Sequence, residues 1–506
     1  MVATIDSGFY KGINSFKIRI ECDLTNGLPC FTIVGLPDTA IQESKERVRA
    51  SIANSGFEFP TKKITVNLAP ADVKKEGPAF DLPIALAILC SGRQLSSEKI
   101  KDYLFCGELS LKGTLRPVKG VLLLAELAKK MKKKGLIVPT ANAKEASAIN
   151  GVDIFGCRSL RQVIDFIGGE EMLTAEKPMS FEAEEFLLDY KDIKGQLMAK
   201  RAVEIAAAGG HNILMVGSPG SGKTMLAERL PSIIPPMSLE EAIEVTKLYS
   251  VSGLTNGGLV SRRPFRKPHH TVSPVGLAGG GTNPRPGEIS LSHNGVLFLD
   301  EIPEYTRTCL EVLRQPIEER KVHICRAQGN ITYPASFSLV AAMNPCPCGW
   351  LGDRKRECNC TPNQVKSYRR KLSGPLLDRI DIQVTVPRLD TEELCGRTEG
   401  ESSDAIRTRV LKARNLQSER YAKERIYNNS QMQPKQIKQH CMLSEESLDF
   451  LKSAAEKLLL TGRSYDKVLK VSRTIADLAE EQEINVQHLA EAVQYRPFDT
   501  NASRSY

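Results

Sequence analysis

The sequence predicts an α/β fold with a parallel sheet in its central part and helices in its C-terminal part. Three apolar runs of strand length, at 212–216, 295–299 and 338–343, are typical of buried parallel strands. Each is followed by glycine-rich or polar residues, and the carboxyl ends of parallel strands are where such sheets place ligands. From about residue 403, apolar residues recur at helical spacing. A chain of 506 residues has room for about three domains.

Composition and charge narrow the class of protein. Hydrophobic residues make up 41% and charged residues 25%, which is ordinary for a globular protein, and no apolar run reaches the roughly 18 residues of a membrane span. The first residues lack a basic region before a long apolar one, so no secretory signal is predicted. We therefore expect a cytoplasmic protein with no membrane partner, whose 13 cysteines are reduced thiols or metal ligands. The net charge of +9 mildly favours a polyanionic partner.

The N-terminal third, residues 1–170, alternates predicted strands and helices. Its stretches 76–83 and 107–118 resemble the Lon protease fold, which implies an N-terminal α+β domain. In the Lon family a nucleophilic serine follows the Gly-Pro pair, but Ala79 stands at that position. Leu122 stands where the lysine partner is expected, with Lys119 three residues away. Because a methyl group cannot attack a carbonyl, we expect no protease activity from this domain.

Residues 217–224 fit the phosphate-loop pattern G-x-x-x-x-G-K-[ST] at every fixed position, between a predicted strand and a predicted helix. Glycines allow the backbone to fold around phosphates, and the amides at the helix start point at them. Lys223 is expected to reach the β- and γ-phosphates of ATP, and Thr224 to ligate Mg²⁺. The predicted nucleotide-binding residues are Gly217, Ser218, Pro219, Gly220, Ser221, Gly222, Lys223 and Thr224.

Two further strand ends carry groups that ATP hydrolysis needs. Asp300 and Glu301 follow the run 295–299, and we expect Asp300 to hold Mg²⁺ and Glu301 to act as the general base on water. Asn344 follows the run 338–343 and can hold the γ-phosphate and that water, although an asparagine before a proline also forms turns.

Arg379 lies on an apolar segment after the third strand. An arginine guanidinium that contacts the γ-phosphate bound to a neighbouring subunit stabilises transition-state charge, which raises the rate of hydrolysis about 10³–10⁵-fold. A pair with Asp378 or Asp381 is the alternative that the sequence leaves open.

A cysteine cluster spans residues 346–360 and contains two C-x-C pairs separated by nine residues. Four thiolates this close together fit a tetrahedral structural Zn²⁺ site. Four reduced thiols in a loop are the alternative, because C-x-C is tighter than the usual C-x₂-C spacing. The predicted ligands are Cys346, Cys348, Cys358 and Cys360.

The order of phosphate loop, acidic strand, asparagine and the sequence Leu-Leu-Asp-Arg-Ile-Asp at 376–381 resembles the magnesium-chelatase-like AAA+ ATPases. The segments 284–295 and 344–349 are similar to those of the YifB/ComM family of bacterial competence-associated ATPases, and the similarity covers nearly the whole chain. This resemblance implies a hexameric ring ATPase that drives branch migration on DNA during recombination and natural transformation. It also implies that Arg463, at the start of a C-terminal helix, is a second arginine that senses the γ-phosphate; Arg473 is the alternative.

Two basic segments are candidates for DNA contact. The long segment at about 250–292 contains Arg266, Lys267 and three consecutive glycines, which suits a flexible insertion that contacts phosphates in a ring pore. A solvated surface insertion is the alternative. Alternation at 321–333 predicts a hairpin, which projects into the pore in the related helicases, so we expect Arg326 to contact the DNA backbone.

The expected domains follow from these motifs. They are a Lon-like domain at 1–170, a polar linker at 171–184, an AAA+ P-loop α/β core with inserted hairpins at 185–390, a helical lid at 391–496 and a disordered tail at 497–506.

The sequence leaves three functional classes. The preferred one is an ATP-driven helicase that acts on branched or single-stranded DNA. A chelatase-like or chaperone-like remodelling ATPase that does not act on DNA is the alternative, because the ATPase core is shared. An ATP-dependent protease needs a nucleophile that Ala79 does not supply.

Overall fold

The structure is a computed structural model, and it describes residues 2–496 except 73, 97, 180, 183, 185, 256, 282–283, 327–328, 354, 391–399 and 425. The tail for which disorder is expected, 497–506, lies outside the described residues. The chain divides into two compact units, of which the first holds residues 1–182 and 238–261 and the second holds 183–237 and 262–506.

In chain order, the first elements are β1 Ala3–Lys11, β2 Asn14–Thr25, β3 Cys30–Val34, α1 Thr39–Asn54, β4 Lys63–Ala69, α2 Asp81–Ser91, β5 Tyr103–Phe105, β6 Glu108–Leu109, β7 Leu115–Arg116, α3 Val121–Lys130, β8 Gly135–Pro139, α4 Thr140–Ala146, β9 Asp153–Cys157 and α5 Leu160–Gly168. Then come α6 Leu197–Gly209, β10 Ile213–Val216, α7 Lys223–Ile233, α8 Leu239–Ser252, β11 Phe265–Arg266, α9 Pro274–Ala278, β12 Gly279–Gly280, β13 Arg285–Pro286, α10 Glu288–Leu291 and β14 Val296–Leu299. The last are α11 Arg307–Val312, α12 Arg314–Glu319, β15 Lys321–Arg326, β16 Gly329–Pro334, β17 Ser338–Met343, α13 Pro362–Arg370, α14 Gly374–Leu377, β18 Ile382–Thr385, α15 Ser403–Arg420, α16 Pro434–His440, α17 Glu445–Leu458, α18 Gly462–Leu478 and α19 Val486–Gln494.

The first unit contains a four-stranded sheet in the order β1-β2-β4-β3 and a three-stranded parallel sheet in the order β5-β8-β9. Alternate residues of the strands in the four-stranded sheet, such as Ile18 and Ile20 on β2, point into the core, as expected for a sheet with one covered face. Helix α2 is apolar on all sides, and it is buried from Asp81 to Leu89 because it lies inside this core.

Residues 238–261 belong to the first unit, although the sequence assigns them to the central domain. Ser238 starts α8 with a capping box, and Ile243 of this helix packs against the apolar cluster of α3 and α4. Lys247 pairs with Glu126 of α3 at 2.9 Å. These contacts join segments more than 100 positions apart, which periodicity along the chain does not report.

The second unit is built on a five-stranded parallel sheet in the order β11-β14-β17-β10-β18. Its central strands are fully buried apolar runs, because helices cover a parallel sheet on both faces. The register places Val216 beside Met343, so β10 and β17 end at the same edge of the sheet.

The C-terminal helices α15 to α19 pack with α6 and α7 and share one apolar core with the sheet. Asp477 on α18 is buried and accepts hydrogen bonds from the Arg420 and Arg473 guanidinium groups and the Asn429 amide. In the described part of the chain, no helix combines the length and apolar character that crossing a membrane requires.

Candidate nucleotide-binding site

The phosphate loop joins the carboxyl end of β10 to the start of α7. Gly220 and Gly222 have φ values of +75° and +94°, which side chains other than glycine rarely adopt. Gly217 is required for a different reason, since a Cβ there would lie 2.1 Å from the Val386 carbonyl oxygen. The loop therefore has the tight backbone that phosphate binding needs.

Lys223 opens α7, and its ammonium group lies within the phosphate loop. It donates to the Gly217 carbonyl at 2.7 Å and the Ser218 carbonyl at 2.9 Å, and it is 3.4 Å from the Asn344 amide oxygen. Burial lowers the pKa of Lys223, and the carboxylates of Asp300 and Glu301 oppose that shift. The fold thus brings Lys223 and Asn344 together.

Thr224 and Asp300 are in contact, because the Thr224 hydroxyl donates to Asp300 Oδ2 at 3.1 Å. A hydroxyl and a carboxylate at this distance fit Mg²⁺, which usually takes one or two protein oxygens together with water and phosphate. Both residues lie at the carboxyl edge of the sheet, next to the phosphate loop.

Glu301 follows Asp300 and has left-handed backbone angles, φ 49° and ψ 46°. This conformation is uncommon for a residue other than glycine, and such strain clusters at functional sites. The Glu301 amide donates to Asp300 Oδ1 at 3.1 Å, and the side chain is exposed. An exposed carboxylate held next to the predicted magnesium ligand is positioned to accept a proton from water.

Arg379 pairs with neither Asp378 nor Asp381. Its Nη2 lies 2.7 Å from Glu318, and its Nη1 donates to the Pro375 carbonyl at 2.6 Å. Asp381 instead accepts from the Asn212 backbone amide. Within one chain, the Arg379 guanidinium is therefore directed at a carboxylate on α12.

The two candidate sensor arginines differ in their surroundings. Arg473 is buried and donates to Asp477 and to the carbonyls of Gln482 and Glu481. Arg463 is 66% exposed, and its Nη1 lies 3.9 Å from Asp378, the neighbour of Arg379. Of the two, Arg463 is therefore the exposed arginine, and its ion-pair partner Asp378 directly precedes Arg379 in the chain.

The segment in which we expected a flexible DNA-contacting insertion contains short regular elements. Arg266 ends β11 and makes two hydrogen bonds with Glu288, at 2.6 and 2.8 Å. Lys267 lies 3.5 Å from Asp300 and 3.7 Å from Glu228. These two cations, for which the sequence suggested DNA contact, have acidic partners within the chain. Parallel pairing of β11 with β14 brings Lys267, the residue after β11, beside Asp300, the residue after β14.

Strands β15 and β16 pair in antiparallel register from Lys321 opposite Pro334 to Arg326 opposite Gly329. Arg326 is therefore at the tip of a hairpin, and its side chain lies outside what the structure describes. Strands β12 and β13 form a second antiparallel pair, and the Tyr333 hydroxyl on β16 donates to the Pro284 carbonyl at 2.8 Å. The two hairpins thus contact each other.

The four cysteines converge, and their sulfur atoms all lie within 4.8 Å of one another. Three of the pairs are 3.4, 3.6 and 3.5 Å apart, close to the separation of about 3.8 Å expected for thiolates 2.3 Å from one tetrahedral zinc ion. The Trp350 backbone amide and the neighbouring thiols lower the pKa of Cys348 to about 6. Desolvation and the neighbouring thiols raise the pKa of Cys358 and Cys360, so it is the convergence of the four sulfur atoms that fits zinc.

The loop that carries the cysteines contacts the phosphate loop. Gly349 has φ +86°, and a Cβ there would lie 2.7 Å from the ring of Pro219. Asp353 Oδ1 accepts hydrogen bonds from the backbone amides of Lys355 and Arg356, and these amides together with the nearby Ser218 side chain lower the pKa of Asp353. Nothing in the spacing of the cysteines indicated this contact, although glycine directly after the second cysteine was a usable signal.

Gln196 was also missed as a site residue. It has left-handed backbone angles, and its amide nitrogen donates to Ser221 of the phosphate loop and to Pro387 after β18. Tyr190 lies nearby in sequence and donates its hydroxyl to the Leu226 carbonyl of α7. These hydrogen bonds attach the segment 190–196 to the phosphate loop and to α7.

In the first unit, Ala79, which stands at the sequence position expected for the Lon serine, lies in a short 3₁₀ turn before α2. Leu122 is completely buried in α3.

Comparison with known proteins matches three consecutive family models. They are described as subunit ChlI of Mg-chelatase over residues 20–142, magnesium chelatase subunit ChlI over 189–394, and the ChlI C-terminal region over 400–496. The chain is 46% identical to competence protein ComM of Haemophilus influenzae, over 98% of this chain and 97% of that protein. It is 44% identical to the uncharacterized protein YifB of Escherichia coli, over 96% of each chain. A shorter match, 33% identical, covers 26% of this chain and 17% of Lon protease 2 of Syntrophobacter fumaroxidans.

Proposed function

Because this chain belongs to the YifB/ComM family of magnesium-chelatase-like AAA+ proteins, we propose that it is an ATP-dependent DNA helicase that promotes branch migration during recombination and natural transformation. The observation that carries the ATPase part is the convergence of five predicted residues at one edge of the parallel sheet. These residues are Lys223, Thr224, Asp300, Glu301 and Asn344.

The chain's own groups have distinct parts in this proposal. Lys223 leaves the loop carbonyls to bind the β- and γ-phosphates, while Asn344 and Glu301 orient a water for in-line attack. Glu301 accepts the proton of that water. When bound, Mg²⁺ neutralises phosphate charge, and Thr224 and Asp300 hold it.

Arg379 and Arg463 are the residues that one subunit contributes to the nucleotide site of its neighbour. Arg463 pairs with Asp378, the residue before Arg379, and Arg379 is bound to Glu318 within its own chain. In a hexameric ring, Arg379 exchanges this partner for the γ-phosphate of the neighbouring subunit, with Arg463 from the helical lid beside it.

The DNA part rests on the two hairpins and on similarity to a competence protein. Arg266 connects the strand beside Asp300 to Glu288 on α10, and α10 follows the β12–β13 hairpin, which contacts β16 through Tyr333. Through these contacts, a movement at the nucleotide site on hydrolysis is transmitted to the hairpin tips. There, Arg326 contacts the phosphates of branched or single-stranded DNA.

The proposal includes a structural zinc ion on the four cysteines and a Lon-like domain that does not hydrolyse peptides, since Ala79 replaces the nucleophile.

The test measures the rate of ATP hydrolysis without DNA, with single-stranded DNA and with a four-way junction. The Glu301→Gln variant is the inactive control. Strong stimulation by DNA that is absent from Glu301→Gln supports the proposal, and Arg326→Ala should then weaken both DNA affinity and stimulation. Robust hydrolysis that ignores every DNA tested refutes the DNA motor and favours a chelatase-like remodelling ATPase, the role that the name of the matched family indicates.

A further inference from the structure

Lys267 occupies a position that neither the phosphate loop nor a DNA contact accounts for. Its Nζ lies 3.5 Å from Asp300 Oδ2 and 3.7 Å from Glu228 Oε1, and it sits over the Phe298 ring at 5.3 Å from the centroid. The same Asp300 oxygen accepts the Thr224 hydroxyl. Asp300 Oδ2 therefore lies close to Lys267 and also contacts Thr224, with which Asp300 is predicted to bind Mg²⁺.

The backbone before Lys267 is fixed. Arg266 pairs with Leu297 in the parallel sheet and is anchored to Glu288 by two hydrogen bonds. Phe298 beneath the lysine stem is fully buried. The ammonium group can therefore move mainly by rotation of its own side chain, between the carboxylate of Asp300 after β14 and that of Glu228 on α7.

An ammonium ion and Mg²⁺ compete for one carboxylate oxygen, because both are held there by its negative charge. Glu228 offers the displaced ammonium a second carboxylate only a short rotation away. The proximity of Lys267 to Asp300 is thus compatible with Mg²⁺ binding if the lysine transfers to Glu228.

We propose that Lys267 is a positioning residue that binds Asp300 when Mg²⁺ is absent and transfers to Glu228 when Mg²⁺ and nucleotide bind. It thereby sets the Mg²⁺ concentration at which the site loads. This inference rests on the proposed nucleotide site and deepens it, but it does not depend on DNA.

The experiment measures binding of a fluorescent ADP, N-methylanthraniloyl-ADP, to the full-length protein without DNA, in EDTA and at increasing Mg²⁺. The quantity compared is the ratio of the dissociation constant in EDTA to that in saturating Mg²⁺. Lys267→Met removes the competitor and should raise this ratio about two- to fivefold, the range expected for a partly exposed ion pair. Lys267→Arg keeps the charge and should leave the ratio near the wild-type value.

Glu228→Gln gives the opposite expectation. It removes the alternative partner, so Lys267 stays on Asp300 and the ratio should fall about two- to fivefold. The double variant Lys267→Met/Glu228→Gln should match Lys267→Met, because Glu228 acts through the lysine. Lys412→Met, which removes an ion pair with Glu480 on the C-terminal helices, controls for net charge.

Three results overturn the inference while leaving the proposed function in place. They are an unchanged or lower ratio for Lys267→Met, an effect of Glu228→Gln that persists in the double variant, and a shift of equal size in Lys412→Met. A wild-type protein that binds no nucleotide overturns both proposals.

Discussion

Substitution of Gly349 by alanine tests whether the cysteine loop supports the phosphate loop. The new Cβ would lie 2.7 Å from Pro219 Cδ and 2.8 Å from Pro219 Cγ, nearly 1 Å inside normal contact, so one of the two loops must shift. Overpacking of this kind costs about 1–3 kcal/mol. If the phosphate loop is the one that shifts, nucleotide affinity falls about five- to hundredfold.

Gly352→Ala is the matched control. Gly352 has φ +80°, close to the +86° of Gly349, but a Cβ at Gly352 meets nothing within 4 Å. Both substitutions therefore carry the same backbone strain of about 1–2 kcal/mol, and only Gly349→Ala adds a contact with Pro219.

The assay is equilibrium titration with the fluorescent ADP, together with thermal unfolding and zinc content for both variants. We expect weakened binding for Gly349→Ala alone, with equal zinc content and similar unfolding temperatures. Wild-type affinity in Gly349→Ala, or an equal loss in Gly352→Ala, would refute the idea that the cysteine loop positions the phosphate loop.

The remaining predictions concern the metal, the subunit interface and the first unit. Purified reduced protein should contain one zinc ion per chain, and Cys358→Ser should lose it; metal analysis that finds none removes the zinc proposal. Arg379→Ala should lower DNA-stimulated ATPase about 10³-fold or more, and mixing it with Glu301→Gln subunits should restore part of the rate, since a hybrid interface has one intact copy of each group; mixtures that stay inactive would mean that Arg379 acts within its own chain. Glu145→Ala should lower the free energy of unfolding by about 1–3 kcal/mol in denaturant titration, because the buried Ser250 hydroxyl that donates to Glu145 loses its partner; unchanged unfolding would show that α8 docks without this contact.

The convergence of residues at the candidate nucleotide site is the arrangement that the sequence predicts best. The phosphate loop is recognisable because its glycines are required by backbone geometry, and Asp300 and Asn344 follow strands whose parallel pairing brings their ends together. The cysteine spacing likewise anticipates the cluster of four sulfur atoms. Each of these motifs consists of residues that lie close together in the chain, so its spacing can be recognised in the sequence.

Other parts depend on contacts between distant segments. The charge of Lys267 suggested DNA contact, but the pairing of β11 with β14 gives it acidic partners. Helical spacing alone did not separate Arg463 from Arg473, whereas burial beside Asp477 does. The docking of α8 in the first unit was missed for the same reason, since its partners Glu126 and Glu145 belong to helices far away in sequence.

The discontinuity of the first unit has a consequence for synthesis of the chain on the ribosome. Its first continuous stretch ends at residue 182, but α8 and the residues after it, through 261, complete its apolar cluster. At a translation rate of about 5–20 residues per second, the nascent chain waits roughly 4–16 seconds for that segment. During this interval the surface of α3 and α4 that α8 covers is exposed to other nascent chains and to chaperones. By the time α8 emerges, the phosphate loop has already been made, so completion of the first unit and growth of the ATPase sheet must proceed side by side.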